Sequence, residues 1–201
     1  MKLKTYTLIF SLFFGASSLS ARAAHALDFS LFGIVTPSNY NVSPAPSSTS
    51  SSITFGLGGT VGFGLSPFFS LETGALFLPR TFTQTTAGFE NTRSVSYMEI
   101  PVLLRISPMS LFSVNAGLYY GIPTASSVKV TTSGTTTSGT SPNPTDYGLL
   151  LGASVRIPVA PFLKIRGDLL YRIGLANMDL GSATISSRNF DLWAGLMLDV
   201  W

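Results

Sequence analysis

From residue 27 onward the chain falls into eight stretches in which apolar and polar side chains alternate with period two. They lie at 27–36, 53–65, 69–82, 94–106, 111–122, 147–157, 162–175 and 188–201. Alternation of this kind predicts β-strands with two unlike faces. In 53–65, Ile53, Phe55, Leu57, Val61, Phe63 and Leu65 share one face, and Thr54, Gly56, Gly58, Thr60, Gly62 and Gly64 share the other. Glycine weakens a strand, so a column of small residues fits a narrow interior that must admit long side chains from opposite strands. Apart from Arg188 at the start of the last stretch, one face of the eight stretches carries no ionised side chain. The other carries twelve: Asp28, Glu72, Arg80, Glu99, Arg105, Arg156, Lys164, Arg166, Asp168, Arg172, Asp191 and Asp199. A soluble β-protein points its apolar face inward and its charges at water. Here the apolar positions exceed what a small core needs, and six acids match six bases. The partition predicts an all-β fold, an eight-stranded antiparallel up-and-down transmembrane β-barrel, with lipid outside and a paired charge network in the lumen.

The connections support the same architecture. Polar segments at 37–52, 83–93, 124–146 and 176–187 alternate with turns of two to four residues. Short periplasmic turns and longer external loops are the habit of transmembrane barrels, so both ends of the barrel are expected in the periplasm. The Ser/Thr-rich stretches at 37–52 and 124–146 are expected to be external loops, and 124–146, whose composition cannot bury a core, is expected to be mobile. With this orientation Phe55, Phe77, Tyr120, Tyr147, Tyr171 and Phe190 fall near the external strand ends. Phe29, Phe63, Phe69 and Phe112 fall near the periplasmic ends, giving two aromatic belts. The competing fold is a soluble eight-stranded barrel. It would expose Phe29, Phe55, Leu57, Phe63, Leu71 and Phe77 to water and bury twelve charges around an apolar ligand, which is costly.

The N-terminus changes the charge balance. Lys2 and Lys4 precede an apolar run at 8–19, followed by the small-x-small sites Ala21-Arg22-Ala23 and Ala24-His25-Ala26. This is the form of a secretory signal peptide over 1–26, leaving 27–201 as the barrel. The run is shorter than the ~20 apolar residues a spanning helix needs. The chain has 12 basic and 9 acidic residues; without Lys2, Lys4 and Arg22 the signs balance, and nothing points to nucleic acid. No cysteine is present, which excludes disulfides, thiol chemistry and a lipid anchor on cysteine. No spanning-helix candidate follows residue 27, and only a closed barrel carries strands across a bilayer without orphaned backbone groups.

Residues Tyr97 to Ile106 read YMEIPVLLRI. This resembles the Y-x-E-I-P-x-L-L-(K/R) segment of the PorT-like family of small outer-membrane β-barrels. Leu118-Tyr119-Tyr120-Gly121, Asp146-Tyr147-Gly148 and Tyr171-Arg172-Ile173-Gly174-Leu175 resemble that family's strand ends. The resemblance implies an eight-stranded outer-membrane barrel and does not imply an enzyme. Independently of it, Glu99 and Arg105 lie on the inward face, and Pro101, which cannot donate to a ladder, predicts a bulge or an unpaired site. The final Trp201 partly fits an outer-membrane insertion signal for the barrel-assembly machinery, but Asp199 breaks the apolar row before it.

Chemistry is sparse. The sole histidine, His25, lies in or beside the leader, which closes a Ser/His mechanism and imidazole metal sites. Glu72, Glu99, Asp168 and Asp191 share their face with six cations, so a structural network outweighs a catalytic carboxylate pair. No catalytic, cofactor or metal residue is assigned. Eight strands leave an interior that side chains just fill. Arg105, Arg156, Arg166, Arg172, Tyr97, Tyr119 and Trp193 then predict a plugged lumen. A narrow passage for small or hydrophobic solutes is the alternative, hinted at by inward Leu76, Leu78, Leu103 and Leu170. At the loop tips Tyr40 and Phe89 are the aromatic candidates for a surface ligand, which the sequence does not name. The expected product is a monomer in the bacterial outer membrane, in contact with lipid, with a structural or surface-display role.

Overall fold

A computed structural model describes residues 27–38, 40–43, 48–86, 89–132, 135–139, 145–176 and 184–200. The proposed leader and Trp201 lie outside the described residues, as do the side chains of Tyr40 and Phe89. The chain forms β1 (Leu27–Ser38), β2 (Tyr40–Ser43), β3 (Ser48–Gly64), β4 (Phe69–Thr86), β5 (Phe89–Ile106), β6 (Phe112–Thr132), β7 (Thr135–Gly139), β8 (Asp146–Ala160), β9 (Leu163–Gly174) and β10 (Thr184–Val200). Eight of these run β1-β3-β4-β5-β6-β8-β9-β10, each antiparallel to its neighbours, and β10 pairs back with β1 to close the barrel. The short β2 and β7 are additions, pairing with β10 and β6 respectively.

The strand pairing fixes the barrel's dimensions. The paired residues run from Leu198 through Phe29, Val61, Thr73, Val102, Leu118, Leu149 and Ile173 to Arg188. One circuit therefore returns to β10 ten residues from its start. With a rise of ~3.3 Å per residue and strands ~4.8 Å apart, this stagger corresponds to a tilt of about 40°. The radius is then about 8 Å, which inward side chains can fill.

Alternation places the faces as the sequence pattern predicts. Leu31, Phe55, Leu57, Leu118, Leu169 and Leu192 are exposed, while Glu72, Glu99, Arg105 and Arg172 on the inward parity are wholly buried. At Pro101 the β4–β5 ladder keeps its register but pairs neither Pro101 nor Ile100 with Gly74 or Ala75, so the site is unpaired toward β4 rather than bulged, while both residues stay paired with Tyr119 and Tyr120 of β6. Register shifts occur instead between Ser51 and Leu57, at Ser96/Tyr97 and at Pro158/Ala160.

The polar segments correct one expectation. Much of 83–93 and 124–146 is not loop. β4 and β5 stay paired out to Thr86 and Phe89, and β6 continues to Thr132 between β5 and β7. Segment 37–52 holds the end of β1, all of β2 and the start of β3, and β10 begins at Thr184. Strand pairing uses backbone groups that every non-proline residue carries, and β-branched Thr and Val favour it. A strand already templated by the barrel therefore propagates without apolar side chains. These extensions form a crown at one end of the barrel, the hairpin end. The opposite end carries the turns at 65–68, 107–111 and 161–162 together with the start of β1 and the end of β10.

Candidate functional site

Among the described residues, charged side chains concentrate in the lumen. On β4, β5 and β9 the inward parity repeats one order from the turn end to the hairpin end: charge, leucine, charge. Gly74 and Pro101 aside, it reads Glu72, Leu76, Leu78, Arg80 on β4; Arg105, Leu103, Glu99 on β5; and Arg166, Asp168, Leu170, Arg172 on β9. Strands β4 and β9 are four places apart in the eight-strand order and so face each other. Arginines from one wall can therefore reach carboxylates on the other.

Two chains of alternating charge result. Near the turn end, Arg166 pairs with Asp168 at 2.6 Å and with Glu72 at 2.8 Å. Glu72 also binds Arg105, and Arg105 reaches Asp28 at 3.5 Å. Thr60 donates to Glu72 at 2.6 Å, and Arg166 donates to Ser30 at 3.0 Å. Near the hairpin end, Asp146 binds Arg80 and Arg80 binds Glu99. Glu99 then accepts from Arg172 at 2.6 Å, which also pairs with Asp191 at 2.6 Å. Tyr119 donates its hydroxyl to Asp146 at 3.1 Å, and Thr36 donates to Asp191 at 3.0 Å. Each chain thus runs Asp–Arg–Glu–Arg–Asp and straps opposite walls together. Removing an ion from water costs several kcal/mol, and mutual attraction offsets this only with good geometry and added hydrogen bonds. Sharing each Glu between two guanidiniums supplies both.

An apolar collar separates the two chains. Phe32, Ile34, Leu76, Leu78, Leu103, Tyr119, Leu150, Leu170 and Trp193 form one buried cluster. Phe32 and Trp193 stack with centroids 4.8 Å apart and planes 14° apart. The guanidiniums lie over its aromatic rings: Arg166 is 5.6 Å from the Phe32 centroid and Arg172 is 4.3 Å from that of Tyr119. Such contacts add about 0.5–2 kcal/mol each when desolvated. Small residues make room for these groups. A Cβ on Gly62 would fall 2.4 Å from Asp28 Oδ2, so only glycine leaves that carboxylate where Arg105 reaches it.

The remaining predicted residues lie apart from these chains. Lys164 and Asp199 pair with each other at 2.6 Å at the turn-end rim, each about a quarter exposed. Arg156 donates to Ser107 Oγ at 2.5 Å, and no carboxylate lies within ion-pair distance of it among the described residues. Sequence reading missed Asp146, which opens β8 immediately after a Ser/Thr-rich segment, and the inward Phe32 and Ile34. It also placed Arg93 in a polar loop, whereas Arg93 is a buried residue of β5.

Comparison with known proteins adds three findings. A family model described as outer membrane protein beta-barrel domain matches residues 16–180. No curated protein matches the chain. Among solved structures the chain is similar to the outer membrane protein OprG from Pseudomonas aeruginosa, at 12% identity and a TM-score of 0.59 over 88% of this chain and 96% of that one. It also matches Ail, the attachment invasion locus protein of Yersinia pestis, at 12% identity and a TM-score of 0.44 over 87% of this chain and 99% of that one. At such identities the likeness is one of fold alone.

Proposed function

Because the chain belongs to the outer membrane protein beta-barrel domain family and resides in the bacterial outer membrane, we propose that it is a closed wall element. In this reading the barrel has a structural or surface-display role and conducts no ions. The observation that carries the reading is the lumen's layering: two cross-braced ion chains with a buried apolar collar between them. A continuous aqueous path would have to hydrate Leu103, Leu150 and Leu170, all fully buried. The alternative, a passage for hydrophobic solutes along the inward leucines, requires a gap between residues that here pack into one cluster.

The hairpin end is external in this reading, since short turns lie at the periplasmic side of such barrels. Residues 1–26 act as a cleavable export leader, and the barrel-assembly machinery inserts the remainder as a monomer. The Glu99-Ile100-Pro101 segment supports a place near the PorT-like barrels within the family.

Planar-bilayer recording of the purified, refolded protein tests the proposal. A flat current trace across the working voltage range is expected; reproducible single-channel steps would refute it.

A further inference from the structure

The crown extends the barrel wall beyond its apolar band, and across β4–β5 the pairing runs into it from the lipid-facing wall without a register shift. The side chains change abruptly along it. On β4 the outward row passes from Phe77 through Pro79 to Thr81, Thr83 and Thr85. Across β4–β5, Thr81 and Ser94 are hydrogen-bonded at 3.0 Å, as are Thr83 and Thr92; across β6–β7, Thr131 and Thr136 are bonded at 3.2 Å. Among the described residues of this face on β4–β7 only Glu90 and Lys129 are charged. From Phe77 to Thr86 the wall rises about 23 Å at the barrel's tilt.

Hydroxyls by themselves fit water as well as any ligand. Place and charge select further. A solvent-facing surface ordinarily carries about 25–35% charged residues, and this one is nearly neutral. It begins directly above the aromatic belt of Phe77 and Tyr120, where the wall leaves the acyl chains of the leaflet. A surface built for phosphates would carry Lys and Arg. A Ser or Thr hydroxyl both donates and accepts, which matches the hydroxyls of uncharged sugar rings.

We propose that the outward hydroxyl face of β4–β7 is a contact surface for the neutral sugars of outer-leaflet glycolipid, continuous with the barrel's acyl-chain surface. The proposal rests on the hairpin end being external. Cysteine at Ser138 would be the chain's only thiol; an impermeant maleimide should label it on intact cells, and failure to do so removes the orientation and the proposal together. Given labelling, the protein is placed in nanodiscs of three kinds: lipopolysaccharide with its full sugar core, the same glycolipid stripped of core sugars, and phospholipid. Amide hydrogen exchange over 81–96 and 124–138 should be at least tenfold slower with the full core than with either other lipid. The triple variant Thr83→Val, Thr92→Val and Thr136→Val keeps the β-branch and removes the hydroxyls. It should lose that protection while the membrane-embedded strands exchange as before. Equal protection by the stripped glycolipid, or undiminished protection in the triple variant, would overturn the proposal.

Discussion

Replacing Glu72 with Gln removes one charge and almost no volume, and it strikes the centre of the turn-end ion chain. Two arginines depend on that carboxylate, Arg105 and Arg166. At an effective dielectric constant of about 20, unit charges about 4 Å apart interact by about 4 kcal/mol. Two such pairs set a ceiling of about 8 kcal/mol. The loss is smaller, because Asp168 still holds Arg166 at 2.6 Å, Asp28 remains 3.5 Å from Arg105, and the Gln oxygen can still accept a bond from Thr60. We expect a cost of about 4 kcal/mol, in line with removing one partner of a buried pair. Equilibrium urea unfolding in lipid vesicles, followed by tryptophan fluorescence, measures it. With a slope of about 2 kcal/mol per molar the midpoint should fall by about 2 M. A double-mutant cycle with Arg105→Met isolates the Glu72–Arg105 pair: the two changes together should cost about 2 kcal/mol less than the sum of the single costs. A cost under about 1 kcal/mol, or strictly additive costs in the cycle, would show that the lumen is hydrated enough to screen its charges, and that the chains do not brace the walls.

Other consequences can be measured separately. Gly62→Ala drives a methyl group into the Asp28 carboxylate and should cost about 1–3 kcal/mol by the same unfolding assay; Gly33→Ala, with open space around it, should cost no more than about 0.5 kcal/mol. Truncating the collar by Phe32→Ala with Trp193→Ala should bring ion current to a barrel that is otherwise silent in planar bilayers; continued silence would mean that the ion chains alone close the lumen. Leu169→Arg, on the lipid-facing wall, should destabilise the inserted barrel by about 2–4 kcal/mol, whereas Thr83→Arg in the crown should change it by under about 0.5 kcal/mol. Equal penalties at the two positions would contradict the placement of the apolar band.

The eight barrel strands are legible in the sequence because lipid outside and charge inside make period two visible, nowhere more than in β3. The charged lumen residues are legible for the same reason: Glu72, Arg80, Arg105 and Arg172 each interrupt an apolar row at the inward parity. Their partners are not. Glu99 meets Arg172 only because the wall is staggered by ten residues around its circumference, and no local pattern encodes that offset. Phe32 and Ile34 escaped because residues 31–35 are apolar, apart from Gly33, at both parities, which hides the phase. Asp146 escaped because the Thr, Ser and Pro residues before it give no phase to extend from. The crown escaped because its strands carry hydroxyls on the outward face, and alternation of hydropathy stops where the hydrocarbon does.

The pairing of β1 with β10 joins positions at opposite ends of the folded chain. Until residues near 190 arrive, Leu27–Val35 has a bare hydrogen-bonding border and Asp191 has not reached Arg172. An unfinished sheet of this kind is sticky, open to a stray strand from another copy. A chaperone or insertase that shielded the first strand until the last one docked would guard this molecule at its most vulnerable moment.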